Sequence, residues 1–349
     1  MMKILIIVHS PLQLINVNEY LYKNELRNED LHFVFHHVTN KREVDQTQNT
    51  FEYLKLKGKI KRYEYLNSGS LRNPLNKFKM LQELTSVKKD FYGIKWDKIL
   101  IGDINSLVHS AIVGMFEGER IYVDDGNVIY SVVERLKNKS SSKEFTIFPY
   151  WKGLFMKVLG YDIKIRNNNV TLFTYYYGKI REKLSDFDIQ IDQNNFTYLK
   201  KNQNRLELDD NVVYFIGTAL CSNSIIEENY FKSLILRIAE YYKDKHVVYF
   251  SHRAENSDTL KIIEQVGWEV SANQLPIELS VIRRQTWPTE FGVFFSSAVD
   301  TLNDIYTINS FKAFLLKEEE IIDDGHKKNI RNVYNAYRDY ANLRLISIG

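Results

Sequence analysis

Along nearly its whole length, this chain alternates short apolar runs with amphipathic helical stretches, and that pattern restricts its fold more than any other feature. In the first half, strands are expected at Lys3–Val8, Leu31–Val38, Ile60–Leu66, Lys98–Ile101 and Arg120–Val123, and helices over Leu12–Leu26, Pro74–Lys89 and Ser106–Phe116. A second set places strands at Val212–Ile216, His246–Phe250, Trp268–Val270 and Gly292–Phe295, with helices over Ile225–Tyr242, Ser257–Val266 and Ala298–Tyr306. Short runs that are apolar on both faces suit strands covered on both sides, as in parallel sheets with helical crossovers. Two such sets in series predict an α/β chain of two doubly wound, Rossmann-like domains, and 349 residues is the right length for two.

The polar stretch Asp186–Asp210 contains Asp192-Gln193-Asn194-Asn195 and Lys200-Lys201-Asn202-Gln203-Asn204, and reads as linker or exposed helix. The expected domains are therefore 1–190 and 191–349, with the last helix free to pack back on the first. Lys137–Lys143 reads as a surface loop.

Composition narrows the class. One cysteine, Cys221, excludes an internal disulfide framework and a multi-cysteine zinc site. A net charge of +3 does not by itself argue for nucleic acid. The basic run Lys55–Arg62 alternates with apolar residues, so it reads as a strand with a solvated face; with Lys327–Arg331 it could attract an anionic glycan or a membrane surface. Ile4–Val8 is too short for a signal-peptide core, and no run reaches the ~18–20 apolar residues of a bilayer span. The expectation is a cytoplasmic protein, with any contact to the inner face of the plasma membrane peripheral.

Ligands of doubly wound sheets bind at the carboxyl ends of the strands, so the loops just after strands carry the chemistry. No dinucleotide fingerprint, phosphate-binding P-loop, zinc-protease or serine-hydrolase motif is present. Asp124-Asp125-Gly126 follows the fifth strand; it could supply a general base or a metal ligand, although Asp and Gly are also ordinary turn residues. The same tripeptide recurs at Asp323–Gly325 between acidic and basic runs, where it reads as a solvated turn. In the second half, Gly217-Thr218, Ser251-His252-Arg253 and Ser296-Ser297 each follow a strand. A permissive glycine, an Arg fork, an imidazole donor and hydroxyls at a helix start together suit a phosphate-bearing ligand. His36-His37, with no nearby Cys or carboxylate, reads as a structural pair.

Asp124-Asp125-Gly126, His252 after a central strand of the second half, and Ser296-Ser297 resemble the pattern of the bacterial sialyltransferase superfamily. This superfamily comprises the glycosyltransferase family 52 lipooligosaccharide sialyltransferases and the capsule polysialyltransferases. The opening Ile4–Asn16, with His9-Ser10-Pro11, and the stretch Leu275-Pro276-Ile277-Glu278-Leu279 fit it too. One departure is Arg253, where the family usually has a proline after the histidine. The resemblance implies a GT-B fold, two Rossmann-like domains facing a central cleft. It also implies inverting transfer of sialic acid or a related nonulosonate from a CMP-activated donor to a glycan acceptor, a galactoside or sialoside, with no metal, no further cofactor and no nucleic-acid partner.

By the same resemblance Asp125 is the base with Asp124 beside it, and His252, Ser296 and Ser297 serve the departing CMP phosphate. Glu278 holds the cytidine; from their places after strands, Gly217, Thr218 and Arg253 are expected to complete the donor site, with Gln13 and Asn16 on the acceptor side. Two alternatives are another GT-B glycosyltransferase using a hexose nucleotide, and a non-catalytic sugar-nucleotide or glycan-binding protein.

Overall fold

Ile4 to Val8 are all fully buried, and in the computed structural model of the chain Lys3–Val8 forms β1, with a parallel neighbour along each edge. The structure describes residues 1–37, 41–64, 74–126, 128–137, 144–145, 148, 150–163, 165–166, 170–185, 187, 189–202, 207–271, 274–284 and 286–348. Most of the loop expected at Lys137–Lys143, and residues 186, 188 and 203–206 of the expected linker, lie outside them.

The chain divides into two units, Met1–Lys201 and Asn202–Gly349. In the first, β1 is followed by α1 (Pro11–Lys23), β2 (Asp30–His37), α2 (Lys41–Tyr53), β3 (Lys59–Glu64), α3 (Pro74–Asp90), β4 (Lys98–Ile101), α4 (Leu107–Gly114) and β5 (Glu119–Val123). Then come α5 (Val128–Lys137), β6 (Glu144–Phe145), α6 (Tyr150–Val158), β7 (Ile165–Arg166), β8 (Val170–Thr174), α7 (Tyr177–Arg181), β9 (Gln190–Gln193) and α8 (Thr197–Lys201). The seven-stranded sheet has the order β3-β2-β1-β4-β5-β8-β9 with parallel neighbours throughout, and β6 and β7 form a separate small antiparallel pair.

The second unit holds β10 (Glu207–Ile216), α9 (Glu228–Tyr241), β11 (His246–Phe250), α10 (Ser257–Gln265), β12 (Glu269–Ser271) and α11 (Ile277–Ser280). It ends with β13 (Thr286–Val293), α12 (Ala298–Ile305), β14 (Ser310–Phe314), α13 (Asp324–Tyr337) and β15 (Leu343–Ile346). Its six parallel strands run β12-β11-β10-β13-β14-β15. Strand order reverses between β1 and β4 in the first sheet and between β10 and β13 in the second, so each unit has one crevice of the kind that binds ligands. The last helix buries Ile330 and Tyr337 within the second unit. Among the described residues, no helix is long and apolar enough to cross a membrane.

The unit boundary falls later than residue 190 because the polar stretch beyond it is structured. β9, half exposed along its length, shows no apolar run, yet it pairs with β8 and is pinned by Lys23 Nζ to Asp192 at 2.6 Å. Asn194 is buried, and its side chain donates to Asn16 Oδ1 at 3.0 Å. α8 then docks on α1: Tyr198 N and Leu199 N donate to the Glu19 carboxylate at 2.8 and 2.9 Å, placing negative charge at the helix start. Burial pushes the Glu19 carboxyl up to about 7 despite these bonds.

Candidate active site

In the first unit, adjacent residues leaving β5 face opposite ways, as successive strand residues do. Asp124 turns inward and is 3% exposed; its Oδ2 accepts from Tyr175 N at 3.0 Å, and its side chain is hydrogen-bonded to Thr174. Its backbone oxygen accepts from Asn16 Nδ2 at 2.9 Å. Burial pushes the Asp124 carboxyl up to about 8, with the Asp125 charge adding to the rise, so at neutral pH it keeps its proton. Asp124, a catalytic candidate in the sequence, is in this structure a buried anchor.

Asp125 turns outward, its side chain 21% exposed. Ser10 Oγ donates to Oδ1 at 3.1 Å, and His9 Nε2 lies 3.7 Å from Oδ2. Gly126 follows at φ +65°, a left-handed backbone that glycine adopts without strain and that lets the chain turn at once into α5.

Ser10 also caps α1, accepting from Gln13 N, with Pro11 at the first helical position where its fixed φ suits the turn. Gln13 Oε1 accepts from His9 N at 2.8 Å, which sets the amide so that its Nε2 faces His9 Nδ1 at 3.2 Å. The same amide nitrogen lies 3.5 Å from His9 Nε2, the ring atom that faces Asp125. Gln13 and Asn16 are fully buried, so neither presents its side chain to an acceptor; both hold residues of the Asp125 loop and of β1's exit. A recess lined by Gly102, Ile104, Asp124, Asp125 and Ile129 has a volume of about 20 Å³, room for a water-sized group and not for a sugar ring.

His36 is buried and stacks on His109 with ring centroids 5.0 Å apart, so its partner comes from α4. A larger recess, about 490 Å³, is lined by Tyr22, Glu25, Arg27, Asn28, Lys55 and Lys57 where α1 and α2 end, at the far end of the strands from Asp125; its cations offset two helix carboxyl ends. Among the described residues, no group of three or more His, Cys, Asp or Glu side chains is arranged to hold a metal ion.

In the second unit, the loops after β10, β11 and β13 converge at the strand-order reversal. Thr218 Oγ1 donates to Phe295 O at 3.0 Å, and Gly217 N donates to Phe250 O at 2.8 Å, joining the ends of three strands. A Cβ at Gly217 would lie 2.7 Å from Glu255 Oε2 and 2.8 Å from both Phe250 O and Tyr249 Oη, so only glycine fits there unstrained.

Glu255, absent from the sequence candidates, organises this loop. It is buried, accepts from Tyr249 Oη at 2.6 Å, and accepts from His252 N. Ala254 N donates to His252 Nδ1 at 3.2 Å, so the imidazole carries its proton on Nε2. His252 shows solvent-accessible surface, yet surrounding protein and then the Arg253 charge pull its pKa down to about 4, and it is a neutral N–H donor at pH 7.

Glu278 is buried. Its Oε1 accepts from Thr301 Oγ1 at 2.7 Å, and burial raises its pKa while the Arg253 charge opposes the rise, which makes Arg253 its electrostatic neighbour. The two serines part ways. Ser296 is used by the fold: Oγ accepts from Ala298 N at 3.1 Å, N donates to Tyr337 Oη at 2.8 Å, and Tyr337 donates back to Ser296 O. Ser297 is exposed and makes no capping bond, so only Ser296's hydroxyl caps α12. The second tripeptide is as solvated as its context indicates: Asp323 caps α13 by accepting from His326 N, and the Asp324 side chain is 96% exposed beside Lys327.

His9 and Ser10 follow β1 and could have been found by the same post-strand rule. Thr174 and Tyr175 could not, because β8 itself was not expected. Glu255 and Tyr337 carry no local signal.

No protein-family model matches the chain, and no curated protein matches its sequence. Among solved structures, it is similar over 99% of its length to the α/β-galactoside α-2,3-sialyltransferase of the luminous marine bacterium Photobacterium phosphoreum (13% identity, 98% of that chain, TM-score 0.51). It is also similar over 99% of its length to CalG4, the calicheamicin glycosyltransferase (10% identity, 85% of that chain, TM-score 0.52). A third similar structure, matched over 100% of this chain, is the UDP-GlcNAc 2-epimerase of Methanocaldococcus jannaschii (14% identity, 89% of that chain, TM-score 0.51). Identities this low show the fold alone: two Rossmann-like α/β units of the GT-B type. That fold serves both transferases and an epimerase, so function has to be argued from the residues.

Proposed function

We propose that this chain is an inverting glycosyltransferase that moves sialic acid, or a related nonulosonate, from its CMP-activated form to a hydroxyl of a glycan acceptor without a metal ion. The observation that carries the reading is the split of the acid pair. One carboxyl, Asp124, is buried and protonated, and the other, Asp125, is partly exposed at a strand's carboxyl end and held by Ser10 with His9 beside it. A lone, positioned carboxylate suits proton abstraction better than it suits a divalent ion, which takes several oxygen ligands.

The units divide the chemistry. Asp125 takes the acceptor proton as the hydroxyl oxygen bonds to the anomeric carbon. The bond from that carbon to the phosphate oxygen breaks, and CMP leaves with the electron pair. In the second unit the His252 Nε2–H, the Arg253 guanidinium and the Ser297 hydroxyl serve the departing phosphate, with donors of this kind worth roughly 3–4 kcal/mol each when aimed at developing charge. Buried Glu255 holds the His252 amide, and buried Glu278 holds Thr301 of α12.

The test is CMP release from CMP-sialic acid with and without a galactoside or sialoside. Asp125→Asn should cut kcat by roughly 10²–10⁴-fold, while Asp324→Asn, the same change in the same tripeptide, stays at wild type. Turnover of a UDP-hexose in place of the CMP-sugar would keep the transferase and change its donor. Affinity without turnover of either would replace it with a binding protein.

A further inference from the structure

Two helices of the first unit turn apolar side chains outward. On α6, Trp151 (64% exposed), Leu154 and Val158 (79% exposed) recur at i, i+3 and i+7, along one face. On the first turns of α3, Leu75 and Phe78 are likewise exposed. Lys77 Nζ lies 5.7 Å from the Phe155 ring centre, which joins the two helices into one surface. A helix of a soluble domain ordinarily turns such a stripe inward, and a contiguous exposed one marks an interaction site.

The charges beside it are mostly positive, with Glu83, close to Lys79, the nearest acid along α3. Lys77 and Lys79 flank the α3 residues and Lys152 and Lys157 those of α6, and neither 74–82 nor 150–158 contains an Asp or Glu. From this we infer that the α3–α6 face docks on an anionic lipid bilayer. Indole and aliphatic side chains settle at the headgroup boundary while flanking lysines reach the lipid phosphates. A second copy of the same face would bring lysines against lysines.

The position is suited to a glycan carried on lipid. α3 follows β3 and returns antiparallel to the strands. Phe91, just past its end, packs on His32 near the amino end of β2, so the exposed first turns lie at the sheet's carboxyl end, the end that carries Asp125. The inference does not rest on the proposed chemistry, and its readout is independent of turnover.

Trp96, Trp268 and Trp287, the other three of the chain's four tryptophans, are buried, so vesicle-induced changes in emission report Trp151. Adding vesicles of phosphatidylcholine with about a third phosphatidylglycerol should shift that emission to the blue and carry the full chain into the pellet. Pure phosphatidylcholine should do so far less, and added salt should weaken the binding. Lys152→Gln and Lys157→Gln should each weaken it about five-fold. The pair Leu154→Glu and Val158→Glu should abolish it with thermal unfolding little changed, since Val158 is mostly and Leu154 about half in water. Unchanged Trp151 emission and sedimentation with anionic vesicles would overturn the inference. So would a blue shift that tracks protein concentration without lipid, which would assign the face to a second copy. Binding that survives the two glutamates would place the membrane contact elsewhere.

Discussion

Replacing Asp124 by asparagine should stabilise this protein, by an amount that depends on pH in a defined way. In the unfolded chain the carboxyl titrates near its ordinary value of 3.8; in the native state burial holds the proton until about 8. Between those values the native state binds one proton more than the unfolded state, so wild-type stability falls as pH rises through the window and levels off above it. The slope from this group is at most ~1.4 kcal/mol per pH unit, which amounts to a penalty of up to ~4 kcal/mol at pH 7. An asparagine in its place has no proton to hold. The amide oxygen can accept from Tyr175 N as Asp124 Oδ2 does, and the amide nitrogen can donate to the Thr174 hydroxyl as the protonated acid would.

The assay is urea unfolding of both proteins at a series of pH values from about 4 to 9, reading the difference in free energy between them. That difference should start near zero, grow with pH and flatten above about 8. Glu19 and Glu83, whose carboxyls burial also lifts to about 7, titrate alike in both proteins and cancel. Because the amide copies the protonated acid, turnover of the variant should stay near wild type if Asp125 is the base. A difference that does not change with pH, or a wild type that is the more stable protein at pH 8, would refute the burial argument.

Gly217→Ala should lower the unfolding temperature of the second unit, costing about 1–3 kcal/mol as its methyl meets Glu255, Phe250 and Tyr249. Gly178→Ala, in α7 with open space around it, should instead raise stability by up to ~1 kcal/mol in the same thermal scan. Ser297→Ala should raise the KM for the CMP-sugar with thermal stability unchanged, whereas Ser296→Ala should lose about 1 kcal/mol of stability with its cap; equal effects at both would remove the division of roles drawn from their hydrogen bonds. Turnover should persist in excess EDTA, and abolition with rescue by Mg²⁺ or Mn²⁺ would return a metal to the Asp125 loop.

The local sequence was enough to determine much of the alternation of elements and the strand ends at which candidate residues could be sought. Hydrophobic periodicity is a property of neighbours along the chain, so β1, β4 and β11 could be read to the residue, and Asp125, His252 and Ser297 became candidates simply by looking past strand ends. β9 could not be read, because an edge strand with half-exposed side chains has no periodicity to show and is held by its backbone ladder and by Lys23.

The roles within each pair were decided only in three dimensions. Asp124 and Asp125 are chemically identical neighbours; the first became a buried acid because Thr174 and Tyr175, some fifty residues on, and Asn16, more than a hundred residues back, close around it. Ser296 was taken by the fold and Ser297 left to solvent because Tyr337 arrives from α13 to occupy the backbone of one and not the other. Glu255 matters because Tyr249 and the His252 amide converge on it beneath Gly217. A hydrogen bond between residues far apart in sequence leaves no mark in the pattern around either one, and such bonds fix which of two like side chains reaches the surface.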